Sequence, residues 1–315
     1  MARIKVTTAS LVAILLAGTS PLKAEDGTWI IQTGDNLGEF LDCHEAAGTT
    51  LISAHRGGPS PGLPENAIET MDAVLTAHPT IMEVDIAQSR DGVHFLMHDR
   101  TLDRTTNGQG VAADLNWSAI SQLRLKDADG WVTPYRVPTL RSALEWAKGR
   151  TVLQLDFKRS ASHEVVINEV RNTGNAQNVI LIAYSVETAA KLHSLAPEMM
   201  ISLSMEKPSA LAEVEAAGLP KDRLIAFTGT RLVRPDLYKA LDDQDIEVIF
   251  GTLGWRNSID QQLDRLGMEE RYAELGENGV DIIATDRPRA AAKALEEAKR
   301  LPVAGACGVG RSADQ

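Results

Sequence analysis

One early part of the chain combines two imidazoles, a guanidinium group and two carboxylates, each within or beside an apolar run. The residues are His55, Arg56, Glu83, Asp85 and His98. Carboxylate oxygens are the ligands that hard divalent cations prefer, and an arginine can hold two phosphate oxygens at once. Two imidazoles can take up and return a proton in the same reaction. Together these residue types predict metal-assisted chemistry on a phosphate group.

A later apolar run, residues 153–158 (LQLDFK), adds two charges that alternate with apolar side chains. Residues two apart on a strand share a face, so Asp156 lies on the same side as Lys158. The same spacing puts Glu83 and Asp85 on one face. Carboxylates that point into a protein are costly unless a cation compensates them. We therefore expect the three carboxylates to hold Ca²⁺ or Mg²⁺; a plain charge pair at the rim is the alternative for Asp156 and Lys158.

These side chains need elements to position them, and the chain alternates short β-rich runs with amphipathic helical patterns. The predicted strands are Thr50–Ala54, Ile81–Ala87, Val93–Met97, Thr151–Phe157, Val179–Ala183, Met200–Ser204, Leu224–Phe227, Glu247–Gly251 and Asp281–Ala284. Such alternation is typical of a parallel sheet with right-handed crossovers. Roughly eight units predict an α/β fold of the (β/α)8 TIM-barrel type, whose active site forms at the carboxyl ends of the strands. The first strand is not followed by the glycine-rich fingerprint of a dinucleotide-binding open sheet.

The alternation breaks between His98 and Thr139, where about forty residues carry few strand signals and many turn formers. Loops of that length usually serve a function or carry a small structure of their own. Because this loop follows the strand that precedes His98, we expect it to lie over the mouth of the barrel.

The motifs resemble those of the glycerophosphodiester phosphodiesterase family from about residue 50 to residue 300. The matching elements are His55-Arg56-Gly57, Pro64-Glu65-Asn66, Glu83-x-Asp85, Asp91-Gly92, His98-Asp99, Gly279-Val280-Asp281 and Thr285-Asp286-x-Pro288. The chain departs from the family pattern at Ala67, where threonine is usual, at Asp156, where glutamate is usual, and at Gly251, where an aromatic residue is usual.

The resemblance implies hydrolysis of a small-molecule glycerophosphodiester to sn-glycerol 3-phosphate and an alcohol, with Ca²⁺ or Mg²⁺ as cofactor. His55 and His98 would be the acid–base pair, and Arg56 and Lys158 would contact the phosphate. The family also inserts a small subdomain after the second barrel strand region, which implies that residues 99–138 form a cap.

Three further residues receive supporting roles from the same resemblance. Glu65 would tie down Arg56 or a nearby backbone group. Asn66 would cap the helix predicted over Asn66–Ala77. Tyr184 stands where the family has an aromatic residue and would line the substrate channel.

The first 24 residues have the pattern of a secretory signal peptide. Arg3 and Lys5 precede a short apolar run at residues 9–18, and small and polar residues lead to Ala24. The run is too short to cross a bilayer, so we expect a cleaved signal, with an uncleaved anchor as the alternative. The expected location is therefore periplasmic or secreted, without stable membrane insertion.

The predicted plan of the mature chain has three parts. A short helical lead-in covers residues 25–49, the barrel covers residues 50–300, and an irregular tail covers residues 301–315. The two cysteines, Cys43 and Cys307, lie near the two ends of this plan. Barrel termini lie close together, so a disulfide between them is geometrically reasonable in an exported protein, and two unpaired thiols are the alternative.

Charge and composition narrow the classes of partner. The formal net charge of −11 argues against nucleic acid, which demands a basic surface. Aromatic residues make up only 4% of the chain, which favours a water-soluble diester over a membrane lipid. Two alternatives remain: a related barrel phospholipase of the phosphatidylinositol phospholipase C or sphingomyelinase D type, and an inactive periplasmic protein that binds phosphodiesters. The sequence does not predict the oligomeric state.

Overall fold

The structure, a computed structural model, describes residues 27–254 and 256–312. The predicted signal peptide, residues 1–24, lies outside the described residues. Among the helices that the structure describes, none reaches the length and apolarity that crossing a membrane would require.

Short strands and helices alternate along almost the whole described chain. The strands are β1 (Trp29–Ile31), β2 (Leu51–Ala54), β3 (Ile81–Gln88), β4 (His94–Leu96), β5 (Arg124–Lys126), β6 (Val132–Arg136), β7 (Leu153–Phe157), β8 (Val179–Ala183), β9 (Met200–Ser204), β10 (Leu224–Phe227), β11 (Glu247–Gly251), β12 (Ile282–Thr285) and β13 (Val309–Arg311). The helices are α1 (Leu37–Ala46), α2 (Ile68–Ala77), α3 (Trp117–Ile120), α4 (Leu140–Ala147), α5 (His163–Thr173), α6 (Val186–Leu195), α7 (Ser209–Ala216), α8 (Pro235–Asp242), α9 (Ile259–Leu266), α10 (Arg271–Glu277) and α11 (Pro288–Glu297).

Within the described residues, eight parallel strands close into a barrel in the order β2, β3, β7, β8, β9, β10, β11, β12 and back to β2. Closure depends on the first and last strands, and Ala54 pairs with Thr285 at that seam. The structure therefore confirms the predicted (β/α)8 barrel. The predicted strand Val93–Met97 is not a barrel strand: its central part, β4, pairs antiparallel with the end of β3.

Apolar side chains fill both faces of the barrel wall. The larger core lies between the strands and the surrounding helices, and a smaller one lies inside the barrel at its amino end. Leu37, Phe40 and Leu41 of α1 join the inner core and cover that end. Because the amino end is closed, only the carboxyl end offers a mouth where charged groups can meet a substrate.

The two chain ends are joined beneath the barrel. A disulfide links Cys43 of α1 to Cys307, with the two Cα atoms 5.6 Å apart. Beyond it, β13 pairs antiparallel with β1. The prediction of an irregular tail is wrong at Val309–Arg311, because its strand partner lies at the opposite end of the sequence and leaves no local signal.

Residues 99–138 fold as a small unit against the mouth of the barrel. They contain the helix α3 and the antiparallel pair β5 and β6. The unit has its own apolar cluster, which includes Leu102, Ile120 and Leu125 together with Phe95 and Ala87 from the barrel side. This shared cluster fixes the unit beside the ends of β3 and β4.

Candidate active site

Three carboxylates meet at the carboxyl ends of β3 and β7. The parallel register pairs Asp85 with Asp156, and Glu83 lies two residues earlier on the same face of β3. One oxygen from each of the three groups lies within 4.8 Å of the others. All three residues are buried. The predicted metal ligands are therefore brought together, by strand register, into one cluster.

The cluster carries more negative charge than its lysine neutralises. Lys158 Nζ lies 2.6 Å from Asp85 Oδ1 and 2.5 Å from Asp156 Oδ2. Burial by itself raises the pKa of Asp85, but the charges of Lys158, His98 and Arg56 outweigh it and hold that pKa below its usual value. Burial and the charge of Asp85 raise the pKa of Glu83 to about 8.

One oxygen of the cluster is left without a partner. Asp156 Oδ1 is buried and accepts no hydrogen bond from the described residues. A buried oxygen of this kind, beside two further carboxylates, is the arrangement that a hard divalent cation satisfies. The donor set therefore fits a hard divalent cation, which Glu83, Asp85 and Asp156 would hold.

Arg56 connects the end of β2 to this cluster through an unusual backbone. Its φ of +54° is in the left-handed region, which non-glycine residues seldom adopt outside sites that require it. This backbone directs the Arg56 N–H to Glu83 Oε2 at 2.8 Å. Its side chain lies against Glu65, with Nη1 3.1 Å from Oε1, and its Nε lies 3.7 Å from Asp85 Oδ2. The positive charge predicted for phosphate binding is therefore held next to the carboxylates.

Asn66 has a different role from the one predicted. The prediction of a helix cap is wrong, because α2 begins at Ile68 and is preceded by Ala67, which makes no side-chain cap hydrogen bond. Asn66 instead clamps Asp85: its Nδ2 donates to Asp85 Oδ2 at 2.6 Å, and its Oδ1 accepts from the Asp85 N–H at 2.9 Å. A positive φ of 57° at Asn66 allows this reach across to β3.

His55 pairs with the carboxylate of Asp286, the residue that directly follows the last barrel strand, β12. Its Nδ1 lies 2.6 Å from Asp286 Oδ1, and its Nε2 lies 4.0 Å from Glu83 Oε2. Since a carboxylate accepts hydrogen bonds, the proton lies on Nδ1 and Nε2 faces the cluster. Burial alone lowers the pKa of His55, but the hydrogen bond to Asp286 and the charge of Glu83 raise it above its usual value.

Sequence reasoning did not assign a role to Asp286. Its only signal was its place in the closing Thr285-Asp286-x-Pro288 motif. The contact depends on closure of the barrel, which pairs Thr285 with Ala54 and so places the next residue of each strand side by side.

His98 has its own carboxylate partner, the residue that follows it in the chain. Its Nδ1 lies 2.8 Å from Asp99 Oδ1. Arg104 from the cap donates to both oxygens of Asp99, at 2.7 and 2.9 Å. The hydrogen bonds from Arg104 and His98 outweigh the effect of burial and hold the pKa of Asp99 well below its usual range.

Arg104 also ties the two sides of the site together. It donates to both oxygens of Glu65, at 2.7 and 2.8 Å, and Glu65 in turn holds Arg56. Arg104 was not among the predicted site residues, since nothing in its local sequence shows that it reaches Glu65, 39 positions earlier in the chain. The cap thus contributes one side chain that orients both the His98 pair and the Arg56 pair.

A small cavity extends from the cluster into the barrel. It has a volume of about 120 Å³, and its wall includes His55, Asp156 and Tyr184 beside serine hydroxyls and apolar side chains. The Tyr184 hydroxyl donates to Asp156 Oδ2 at 3.0 Å. At Gly251, a Cβ would lie 3.3 Å from the ring of Phe227, which also lines this cavity. An aromatic ring from β10 therefore lies against the position where the family has one from β11.

The fold and the site define a class: a (β/α)8-barrel protein with an acidic candidate metal centre flanked by two histidine–aspartate pairs. The chain matches the glycerophosphoryl diester phosphodiesterase family over residues 55–290. It therefore belongs to that family, and the predicted resemblance is confirmed.

Individual relatives agree with this membership. The glycerophosphodiester phosphodiesterase of Caldanaerobacter subterraneus subsp. tengcongensis is 27% identical to this chain over 162 residues. The match covers 49% of this chain and 66% of the relative, just under two thirds of the relative's length. A crystal structure of a glycerophosphoryl diester phosphodiesterase from Parabacteroides distasonis has a TM-score of 0.81 and 29% identity, covering 90% of this chain and all of that one.

A more distant structural neighbour was solved with a ligand. An Oleispira antarctica phosphodiesterase, in complex with its product sn-glycerol-3-phosphate, has a TM-score of 0.61 and 18% identity. The similarity covers 80% of this chain and 98% of the neighbour. At that identity the likeness establishes the shared fold.

Proposed function

We propose that this protein hydrolyses glycerophosphodiesters to sn-glycerol 3-phosphate and an alcohol, with a divalent cation bound by Glu83, Asp85 and Asp156. The observation that carries the proposal is the buried carboxylate cluster together with two histidine–aspartate pairs, His55 with Asp286 and His98 with Asp99. Family membership and the product bound by the Oleispira antarctica neighbour support the substrate class.

The surroundings of the two histidines indicate which proton transfer each one carries out. The His55 side chain, 17% exposed, borders the 120 Å³ cavity, whose small size and serine hydroxyls suit the glycerol moiety, as well as a cavity of about 410 Å³ at the rim. The His98 side chain is more exposed and borders a cavity of about 410 Å³, which suits an alcohol of variable size. We therefore assign removal of the glycerol hydroxyl proton to His55 and protonation of the departing alcohol to His98.

The reaction then follows from the placed groups. Glu83, Asp85 and Asp156 would hold the cation, which would supply positive charge that favours loss of the glycerol hydroxyl proton and offsets charge on the phosphate. His55 Nε2 accepts the hydroxyl proton, the oxygen attacks phosphorus, and a cyclic phosphate forms as His98 returns a proton to the leaving oxygen. Water opens the cyclic phosphate with the proton roles reversed. Arg56 and Lys158 stabilise charge on the non-bridging oxygens.

The test is release of glycerol 3-phosphate from glycerophosphocholine and glycerophosphoethanolamine by purified protein. The protein is stripped with EDTA and assayed with Ca²⁺ or Mg²⁺ restored, beside His55→Ala and, as a control on the outer helix α6, His193→Ala. We expect cation-dependent release that His55→Ala abolishes and His193→Ala retains. Folded, cation-loaded protein that released nothing from either diester would overturn the proposal.

We also propose that the protein is exported to the periplasm or secreted. The disulfide between Cys43 and Cys307 supports this location, since such bridges persist in oxidising compartments. Cell fractionation tests the proposal: the protein should be found outside the cytoplasm, lacking its first 24 residues by N-terminal sequencing. Full-length protein confined to the cytoplasm would contradict it.

A further inference from the structure

The cavity beside His98 is bordered by reacting groups on one side and by the cap on the other. Its wall includes His98 and Lys158 from the site, and Ala112 and Ala113 from the cap. The small cap side chains leave room in a volume of about 410 Å³. A substituent on the alcohol that His98 protonates would lie in this cavity.

The wall of the cavity beside His98 carries positive charge that its negative groups do not offset. Asp99 is already bound through both oxygens by Arg104, and Lys158 lies against Asp85 and Asp156. The other two charged side chains are Arg100 and Arg159, and both residues are exposed. Neither makes a side-chain hydrogen bond or ion pair with another residue in the described ranges 27–254 and 256–312.

A second cavity at the rim provides a contrast. It lies against His55 and Arg56, and its volume is also about 410 Å³. Its cap wall includes Lys126 together with Asp127 and Asp129, so opposite charges occur on the same surface. The cavity beside His98 instead has two arginines whose charge no other wall residue offsets. In a protein with a net charge of −11, such a local positive site selects for an anionic ligand group.

We propose that Arg100 and Arg159 form a subsite for an anionic substituent, a carboxylate or a phosphate, on the alcohol half of the substrate. The inference rests on the proposed diesterase function and adds the chemical class of its preferred substrate. A guanidinium group binds carboxylate and phosphate through paired hydrogen bonds, so the two arginines distinguish an anionic head group from a neutral or cationic one.

The test uses two diesters that differ by one carboxylate: glycerophosphoserine and glycerophosphoethanolamine. The kcat/KM for each is measured by glycerol 3-phosphate release in the cation-loaded protein. An ion pair of exposed side chains is worth up to about 1 kcal/mol, which is about fivefold, so we expect two arginines to favour the serine diester severalfold in kcat/KM. The advantage should shrink at high salt, because the arginines are exposed.

The variants R100Q and R159Q, and the double variant, separate the subsite from general charge effects. The double variant should lower the ratio of the two kcat/KM values to about one, while R265Q, which removes an exposed arginine from the outer helix α9, should keep the wild-type ratio. A second pair, glycerophosphoinositol and glycerophosphoinositol 4-phosphate, tests whether phosphate is accepted as well as carboxylate.

The outcomes separate this inference from the proposed function. Hydrolysis of both diesters at equal kcat/KM would overturn the subsite and leave the diesterase function standing. A double variant that lost activity equally on both substrates would also overturn it, because the arginines would then act on the shared phosphate or on the fold. Absence of hydrolysis of every diester would overturn the proposed function itself, and the subsite with it.

Discussion

Both ends of the barrel collect carboxylates, but the groups around those carboxylates differ. At the carboxyl end, Asp85 and Asp156 share the ammonium group of Lys158, and the pKa of Asp85 is held below its usual value. At the amino end, Glu247 is buried, its charged neighbours are Asp42 and Asp281, and burial raises its pKa to about 9. Burial raises the pKa of a glutamate at both ends, Glu83 and Glu247, but only the carboxyl end places cationic side chains that hold the pKa of an aspartate, Asp85, below its usual value.

The difference shows how the same residue type serves two purposes. At the amino end, the neighbouring carboxyl of Asp242, together with burial, raises the pKa of Glu45 to about 7. At the carboxyl end, placed cations and a partnerless buried oxygen leave negative charge available to a ligand. Substitutions at the carboxyl end should therefore cost activity, and those at the amino end should change stability.

The largest effect is expected from Asp85→Asn, which removes charge from the centre of the cluster while keeping its shape. Loss of a cation is worth several kcal/mol of transition-state stabilisation, so glycerol 3-phosphate release should fall by about 10³-fold or more. Calorimetric titration should show weaker Ca²⁺ and Mg²⁺ binding. Glu247→Gln at the other end is the control and should retain binding and activity; loss of binding there would contradict the contrast between the two ends.

The two histidines should respond differently to a better leaving group. Each alanine substitution should lower turnover of glycerophosphocholine by about 10²–10⁴-fold. With a p-nitrophenyl diester of glycerol phosphate, whose leaving group needs no proton, His98→Ala should recover most of its activity and His55→Ala should not. The reverse pattern would exchange the acid and base assignments.

The partner carboxylates should have smaller effects, about tenfold to a hundredfold, because they orient an imidazole and take no part in bond making. Asp286→Asn and Asp99→Asn should each lower kcat and leave KM nearly unchanged. As in the previous comparison, the p-nitrophenyl diester should rescue Asp99→Asn alone. An equal effect of both variants on both substrates would show that the pairs serve the fold.

The smallest effect, on stability alone, is expected from Glu247→Gln. Burial raises the pKa of Glu247 from 4.5 to about 9, so the unfolded chain loses a proton that the folded protein keeps over that range. The contribution of this group to the free energy of unfolding is therefore highest below about pH 4.5. It falls as the pH rises from there, and the fall is complete once the pH has passed about 9. At pH 8 the variant should exceed wild type by on the order of 1–3 kcal/mol in the free energy of unfolding, with a smaller gap at pH 5.

Thermal or urea unfolding at the two pH values measures this effect. Glu215→Gln, an exposed residue on α7, is the matched control and should show no gap at either pH. A Glu247→Gln gap that did not widen with pH would contradict a raised pKa at this position.

Local sequence patterns predicted several elements because their signals lie within the elements themselves. The strands Val179–Ala183, Met200–Ser204 and Glu247–Gly251 have their predicted bounds. The two-residue spacing of Glu83 and Asp85 placed both on one face, since strand geometry fixes the direction of alternate side chains. Spacing also suggested that Asp156 would join them, but the contact itself depends on the register between β3 and β7.

Contacts between distant parts of the chain left no such signal. The Asn66 side chain was predicted to cap the helix expected over Asn66–Ala77, yet its tertiary contact is with Asp85 on the neighbouring strand. Likewise, the pairing of β1 with β13 joins segments at opposite ends of the chain. A sequence pattern that spans about ten residues contains no information about a partner more than two hundred residues away.

The sequence by itself determined the residue types, their faces and the order of the strands, and with them the barrel and its family. The tertiary structure decided which charges meet. Closure of the barrel brought Asp286 to His55, and packing of the cap brought Arg104 to Asp99 and Glu65. The same packing left Arg100 and Arg159 beside a cavity without a partner among the described residues. The physical reason is that charges interact through space, and distance in space is set only once the chain has folded.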